Sequence, residues 1–181
     1  MDINTERLLL RPWRINDAEL LFEYAKDPEV GTAAGWPPHK NIEESKMIIE
    51  KILMNDQTWA IELKNSGQMI GCIGYIKESS GHMKIGASDV EVGYWIGHPM
   101  WGNGYASETL AAFIGFCFDT LYCDTIWGSH FLDNHKSARV MQKCGFKKVN
   151  IQKGTENLEL GAELPLQIMN LSKADWLSLN E

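Results

Sequence analysis

The sequence predicts a mixed α/β fold, one sheet with helices packed on it, formed by a single domain over residues 1–181. Three observations lead there. Short β-type runs at 58–63 and 69–76 flank the loop Lys64-Asn65-Ser66-Gly67, a hairpin pattern with its glycine in place. Between 107 and 121, Leu110, Phe113, Ile114, Cys117, Phe118 and Leu121 recur at intervals of three and four, the stripe of a helix laid on a sheet. Finally, 181 residues of which 44% are hydrophobic fit one ordinary domain with its own core.

Taken in order, residues 7–12 read as a strand, and Asn16 or Asp17 can cap a helix whose apolar face is Ala18, Leu21, Phe22 and Ala25. Pro28 is expected to close that helix. Residues 31–40, with Gly35, Pro37 and Pro38, read as a loop, and 42–54 as a helix presenting Met47, Ile48 and Ile52. After the hairpin, glycines and serines at 79–88 mark a connection, and 89–97 supplies the third strand of an antiparallel meander. Beyond the 107–121 helix come a strand at 125–130, a helix at 137–144 stopped by Gly145, and strands at 146–151 and 166–171.

Seventeen Lys and Arg against twenty-four Asp and Glu leave a net charge of −7, which argues against a nucleic-acid partner. An acidic surface suits a cationic partner instead, such as a protonated amine or a basic peptide. Cys72, Cys117, Cys123 and Cys144 form no CxxC pair and no export leader is read, so a reduced, cytoplasmic setting is expected, with Cys72 and Cys117 as buried apolar groups. The longest apolar run, 110–118, is far short of the roughly 20 residues needed to span a bilayer, so no membrane partner is expected. His39, His82, His98, His130 and His135 lack metal-ligand spacing and read as loop or surface residues, and no metal is expected. Trp13, Trp36, Trp59, Trp95, Trp101, Trp127 and Trp176 read as core or pocket wall.

The passage that carries chemistry is Tyr94-Trp95-Ile96-Gly97-His98-Pro99-Met100-Trp101-Gly102-Asn103-Gly104-Tyr105-Ala106, a strand running through two glycines into a helix. Glycines there let backbone N–H groups approach a pyrophosphate, and the positive end of the helix dipole adds to the attraction. A two-glycine turn by itself is equally a plain change of direction, and both readings stand.

Trp101-Gly102-Asn103-Gly104-Tyr105-Ala106-Ser107-Glu108 resembles the acetyl-CoA signature of the GNAT superfamily of N-acetyltransferases. It is closest in form to the ribosomal-protein-alanine N-acetyltransferase-like (RimJ/RimL-like) branch, where a tryptophan precedes Gly-x-Gly-Tyr-Ala-x-Glu. Thr5-Glu6-Arg7-Leu8-Leu9-Leu10-Arg11-Pro12 with Asp17 resembles that branch's N-terminal signature, Met69-Ile70-Gly71 its central strand, and Asn134-His135-Lys136-Ser137 through Gly145-Phe146 its late helix. The resemblance covers nearly the whole chain. It implies the acyl-CoA N-acyltransferase fold: a central, mostly antiparallel mixed sheet, split at the coenzyme site, with helices on both faces. It also implies acetyl-CoA as co-substrate, with Trp101, Gly102, Asn103, Gly104, Tyr105 and Ala106 at the pyrophosphate. The wider superfamily has Gln or Arg where Trp101 stands, so the pyrophosphate would be held mainly by backbone N–H groups. Tyr94, Trp95 and Ile96 would splay from the neighbouring strand and offer backbone groups to the pantetheine arm, which Asn134 would meet from the other side.

Acetyl transfer to an amine needs a neutral nucleophile, a polarised thioester and a proton for the departing thiolate. By resemblance Glu91 is the base, against the plainer reading of an exposed strand glutamate, with Asp89 and Glu62 as weaker substitutes. The tyrosine that many members use as acid is replaced by Met141. Ser137 stands where the branch carries a serine proposed for that duty, and could bind the coenzyme sulfur; its plainer reading is a helix cap. A backbone N–H near Ile96 would meet the oxyanion. Trp36 lies in the region that borders the acceptor groove in relatives, and either touches substrate or packs under a loop. No cysteine sits where an acetyl-enzyme would need it, so direct transfer in a ternary complex is expected. The expected acceptor is a protein N-terminal α-amine; a small amine such as a polyamine or aminoglycoside, or a non-catalytic coenzyme-A-binding module, are the alternatives. The protein is expected as a monomer or homodimer.

Overall fold

The computed structural model describes residues 1–77, 83–153, 156–157 and 162–179. In chain order they form β1 (Ile3–Asn4), β2 (Leu8–Arg11), a 3-10 turn (Ile15–Asp17), α1 (Ala18–Ala25), α2 (Pro28–Ala34) and α3 (Ile42–Ile48), which runs on into a π-helical turn (Ile49–Leu53). Then come β3 (Thr58–Leu63), β4 (Met69–Ile76), β5 (Val90–Ile96), a 3-10 turn (His98–Met100), α4 (Tyr105–Asp119), β6 (Thr125–Phe131) and α5 (His135–Lys143). Strands β7 (Lys147–Gln152), β8 (Glu156–Asn157), β9 (Ala162–Glu163) and β10 (Leu166–Ser172) precede α6 (Lys173–Leu179).

Eight strands follow one another in the hydrogen-bonded order β1-β2-β3-β4-β5-β6-β10-β7, and β8 pairs separately with β9. Ladders β1–β2, β2–β3, β3–β4, β6–β10 and β10–β7 are antiparallel, while β5 runs parallel to β6. The fold is therefore the expected mixed α/β type with a mostly antiparallel sheet. Among the described residues the parallel ladder consists of Val90↔Ile126 and Glu91↔Trp127 alone.

The chain divides into two compact units, residues 1–74 with 94–112 and residues 75–93 with 113–181. In the first, Trp13, Leu21, Tyr24, Ile49, Met69 and Cys72 form a core. Arg11 is buried beside it, donating from Nη1 and Nη2 to Asp17 (2.8 and 2.7 Å) and from Nε to Glu62 (2.5 Å). Its five N–H donors need such fixed acceptors once water is gone. In the second unit, Phe118 packs on Trp176 with ring centroids 5.1 Å apart. Gly145, at φ +90°, ends α5 in the left-handed region, and a Cβ there would lie 2.4 Å from Leu179 Cδ1.

The hairpin strands coincide with the predicted 58–63 and 69–76 runs, and Gly67 takes φ +70° in their loop. Two expectations fail. Pro28 does not end a helix but starts one: it occupies the first turn of α2, where no N–H is needed, and Asp27 caps it by accepting from Glu29 N–H at 2.9 Å. The 31–40 loop is accordingly helical as far as Ala34. In the next helix Met47 and Ile52 are exposed, and Ser45 and Ile49 point inward instead. With Ile42 and Leu53 half-buried, the inward positions follow ordinary helical spacing, and Met47 and Ile52 are apolar residues that lie off that face. His82 and much of the 79–88 connection lie outside the described residues.

Candidate functional site

The turn between β5 and α4 is built from both ends. Gly102 and Gly104 take φ +81° and +82°, values that side chains with a Cβ avoid. Asn103 Nδ2 donates back to the carbonyls of Met100 (3.1 Å) and Trp101 (3.2 Å), closing the turn, and Glu108 N–H donates to Gly104 O (3.0 Å) as α4 begins. Residues 102–104 are exposed, and a Cβ on Gly102 would meet nothing within 4 Å. An open backbone turn heading a 15-residue helix fits an anionic group such as a diphosphate.

A cation is present as well, which the turn's own sequence does not contain. Arg7 Nη1 donates to Asn103 O (3.0 Å), its Nε to Glu108 Oε2 (2.7 Å), and its guanidinium lies 4.7 Å from the Tyr105 ring centroid. Glu108 Oε1 accepts from Thr5 Oγ1 (2.6 Å) and Arg7 N–H (2.8 Å). Burial works against the Glu108 charge, but the hydrogen bonds from Thr5 and Arg7 outweigh it and hold the carboxyl below its ordinary range.

The strand before the turn is braced rather than loose. Trp101 Nε1 donates to Ile96 O (2.6 Å), so this indole N–H and this carbonyl serve each other; Trp101 also packs on the His98 ring, centroids 4.4 Å apart. His98 Nδ1 lies 2.9 Å from Asp27 Oδ2. Gly97 N–H donates to Ile70 O (2.8 Å), and a Cβ on Gly71 would lie 2.3 Å from Trp95 O. Beyond Glu91 the described residues of β5 have left the β6 ladder, so Tyr94, Trp95 and Ile96 lie past its end. Trp36, between α2 and α3, stands edge-on to Trp95 at 5.7 Å, and its Nε1 is buried without a hydrogen-bond partner.

Glu91 is buried, 9% exposed, at the last pair of the β5–β6 ladder, which removes the exposed-glutamate reading. Its weaker substitutes are engaged as well. Asp89 Oδ2 accepts from Trp127 Nε1 (2.9 Å) and Gly86 N–H (3.0 Å), and Glu62 is paired with Arg11.

On α5 the cap is Asn134, whose Oδ1 accepts from Ser137 N–H at 3.0 Å. Ser137 sits in the first turn, so the expectation that it caps the helix is corrected: the capping side chain is one turn earlier. Met141 is buried, its Cε 2.3 Å from where a Cβ on Gly128 would be, and so belongs to the packing against β6. His130 is corrected too. It is buried on β6 at 8% exposure, with Nδ1 2.8 Å from Phe131 O and Nε2 without a partner.

All four cysteines are free thiols. Burial pushes Cys72 up to about 12 and Cys123 and Cys144 up to about 11, and raises Cys117 as well. In each case burial disfavours the thiolate form.

Comparisons with known proteins give the family. The model for the acetyltransferase (GNAT) domain matches residues 7–147. An uncharacterized N-acetyltransferase of Bacillus subtilis, YoaA, is 30% identical over 154 residues, covering 82% of this chain and 84% of the relative. Among solved structures, a candidate ribosomal-protein-serine acetyltransferase from Vibrio cholerae superposes with TM-score 0.75 at 21% identity, covering 95% of this chain and 97% of the other. Spermidine N-acetyltransferase from Vibrio cholerae, in complex with CoA and spermine, superposes with TM-score 0.75 at 17% identity, covering 96% and 99%. The chain belongs to the GNAT acetyltransferase family and is an N-acetyltransferase.

Proposed function

We propose that this enzyme acetylates the N-terminal α-amine of a protein with a basic leading segment, such as a ribosomal protein, by direct transfer from acetyl-CoA, the donor its family uses. The observation that carries the donor half is the exposed left-handed turn at Gly102 and Gly104, open to an anion at the head of α4. Its N–H groups, with Asn103, Tyr105 and Ala106, would take the pyrophosphate. Trp101 contributes indirectly, by fixing Ile96.

In the proposed chemistry Glu91 removes a proton from the ammonium, directly or through water, and the neutral amine attacks the thioester carbonyl. The backbone near Ile96 meets the oxyanion, the C–S bond breaks, and Ser137 Oγ passes its proton to the thiolate while taking the second proton from the acylated nitrogen, leaving a neutral amide, coenzyme A and an intact serine hydroxyl. Backbone groups of Tyr94 and Trp95, and Asn134, are assigned to the pantetheine arm. Trp36 is assigned to the acceptor, because its aromatic face beside Trp95 suits an amine-bearing chain. Free thiols fit a reducing, cytoplasmic setting.

The protein acceptor rests on the resemblance of the N-terminal and glycine-turn motifs, joined by the name of the Vibrio ribosomal-protein-serine structure. A small-amine acceptor is the second reading, favoured by the likeness to spermidine N-acetyltransferase. Thiol release from acetyl-CoA separates them, using a basic peptide with a free α-amine, the same peptide α-blocked, spermidine and an aminoglycoside. The free peptide is expected to show the highest kcat/KM and the blocked one background rates. Preference for spermidine or the aminoglycoside would replace the protein acceptor with a small amine.

A further inference from the structure

Arg7 is separated from the glycine turn by most of the first unit's sequence, yet it touches each residue that shapes the turn's exit. It meets Asn103 through a carbonyl bond, Tyr105 through its ring and Glu108 through an ion pair, and its Nη2 lies 3.5 Å from where a Cβ on Gly104 would be. The Thr5 hydroxyl and the Arg7 backbone N–H hold the other oxygen of the same carboxylate. This is a strut with three attachment points.

Its value for stability is small. The Arg7 side chain is 44% exposed, and exposed ion pairs contribute little to folding. What it controls is local. Glu108 places a full negative charge in the first turn of α4, where it favours the helix but opposes any second anion on the same N–H groups. Its bond to Glu108 favours the charged guanidinium, so the counter-charge is permanent. On the proposed coenzyme site, we infer that Arg7 is a positioning residue: it locks the 102–105 turn in its anion-accepting shape and cancels Glu108 beside the diphosphate.

Calorimetric titration with acetyl-CoA, melting curves and initial-rate kinetics on the wild type, Arg7→Ala, Arg7→Lys, Glu108→Gln and the Arg7→Ala/Glu108→Gln double variant test this. Arg7→Ala is expected to weaken acetyl-CoA binding about tenfold or more, as loss of charge-assisted bonds does, and to raise the coenzyme KM alike. Its kcat at saturating coenzyme and its melting temperature should barely change. Arg7→Lys keeps the charge but not the two-armed geometry, so it should fall between. The double variant should bind better than Arg7→Ala alone, since the uncompensated carboxylate is gone. Wild-type affinity in Arg7→Ala, or a loss confined to melting temperature, would overturn the role of Arg7. A wild type that binds no acetyl-CoA would overturn the coenzyme site itself and this role with it.

Discussion

Glu91 lies on β5 with only 9% of its surface exposed, a carboxyl drawn into the fold where most carboxyls face water. Glu91→Gln keeps the size and removes the capacity to take a proton. Turnover is expected to fall about 100-fold or more while the acetyl-CoA KM stays put, as initial rates at varied coenzyme would show. An unchanged kcat would hand proton removal to water. At this scale the sequence is informative about residue type and silent about partners. Resemblance singles out Glu91, but the sequence does not show its burial, which depends on what packs around β5. The role of Arg7 is not legible from its N-terminal motif, because its contact with Asn103 spans 96 positions of chain and no local pattern encodes it. His130 read as a surface residue for the same reason: its place between Gly128 and Phe131 on a covered strand depends on neighbours far away in sequence.

Elements were legible where a local rule decides them. Strands β3 and β4 announce themselves by the glycine-bearing loop between them, and the end of α5 by Gly145. Where two local rules compete, the reading went wrong. Proline both stops and starts helices, and at Pro28 the capping carboxylate of Asp27 decides for a start. The helix at 42–54 misleads because its inward face carries a polar residue, Ser45, while the apolar Met47 and Ile52 lie off it, so apolar spacing alone picks the wrong stripe. At α5 the structure separates two roles that one serine seemed to share. Asn134→Ala should cost about 1 kcal/mol of stability through the lost cap, which Ser137→Ala leaves in place because the capping bond comes from the Ser137 backbone N–H. If Ser137 donates the proton to the thiolate, its alanine variant should instead lose about 10- to 1000-fold in turnover per folded molecule, at saturating acetyl-CoA. A Ser137→Ala enzyme with full turnover would leave protonation to water.

At the scale of the whole molecule, the family and its chemistry were readable because the motifs occur in one order along the chain, and the family match over residues 7–147 has the same extent. The acceptor was not readable. A net charge of −7 favours a cation, but a basic N-terminus and a polyamine are both cations, so charge alone cannot choose. The proposed donor site can be tested at Gly104. A β-branched residue there must take φ +82° with its Cβ 3.5 Å from Arg7 Nη2, which distorts the turn and covers its N–H groups. Because a ligand that binds only the native state raises its melting temperature, titrating wild type and Gly104→Val with acetyl-CoA while following thermal unfolding is the direct measurement. The wild type should gain melting temperature with rising acetyl-CoA, the variant should gain none, and NAD or ATP should shift neither. An equal shift in both proteins would contradict the assignment of the pyrophosphate to this turn.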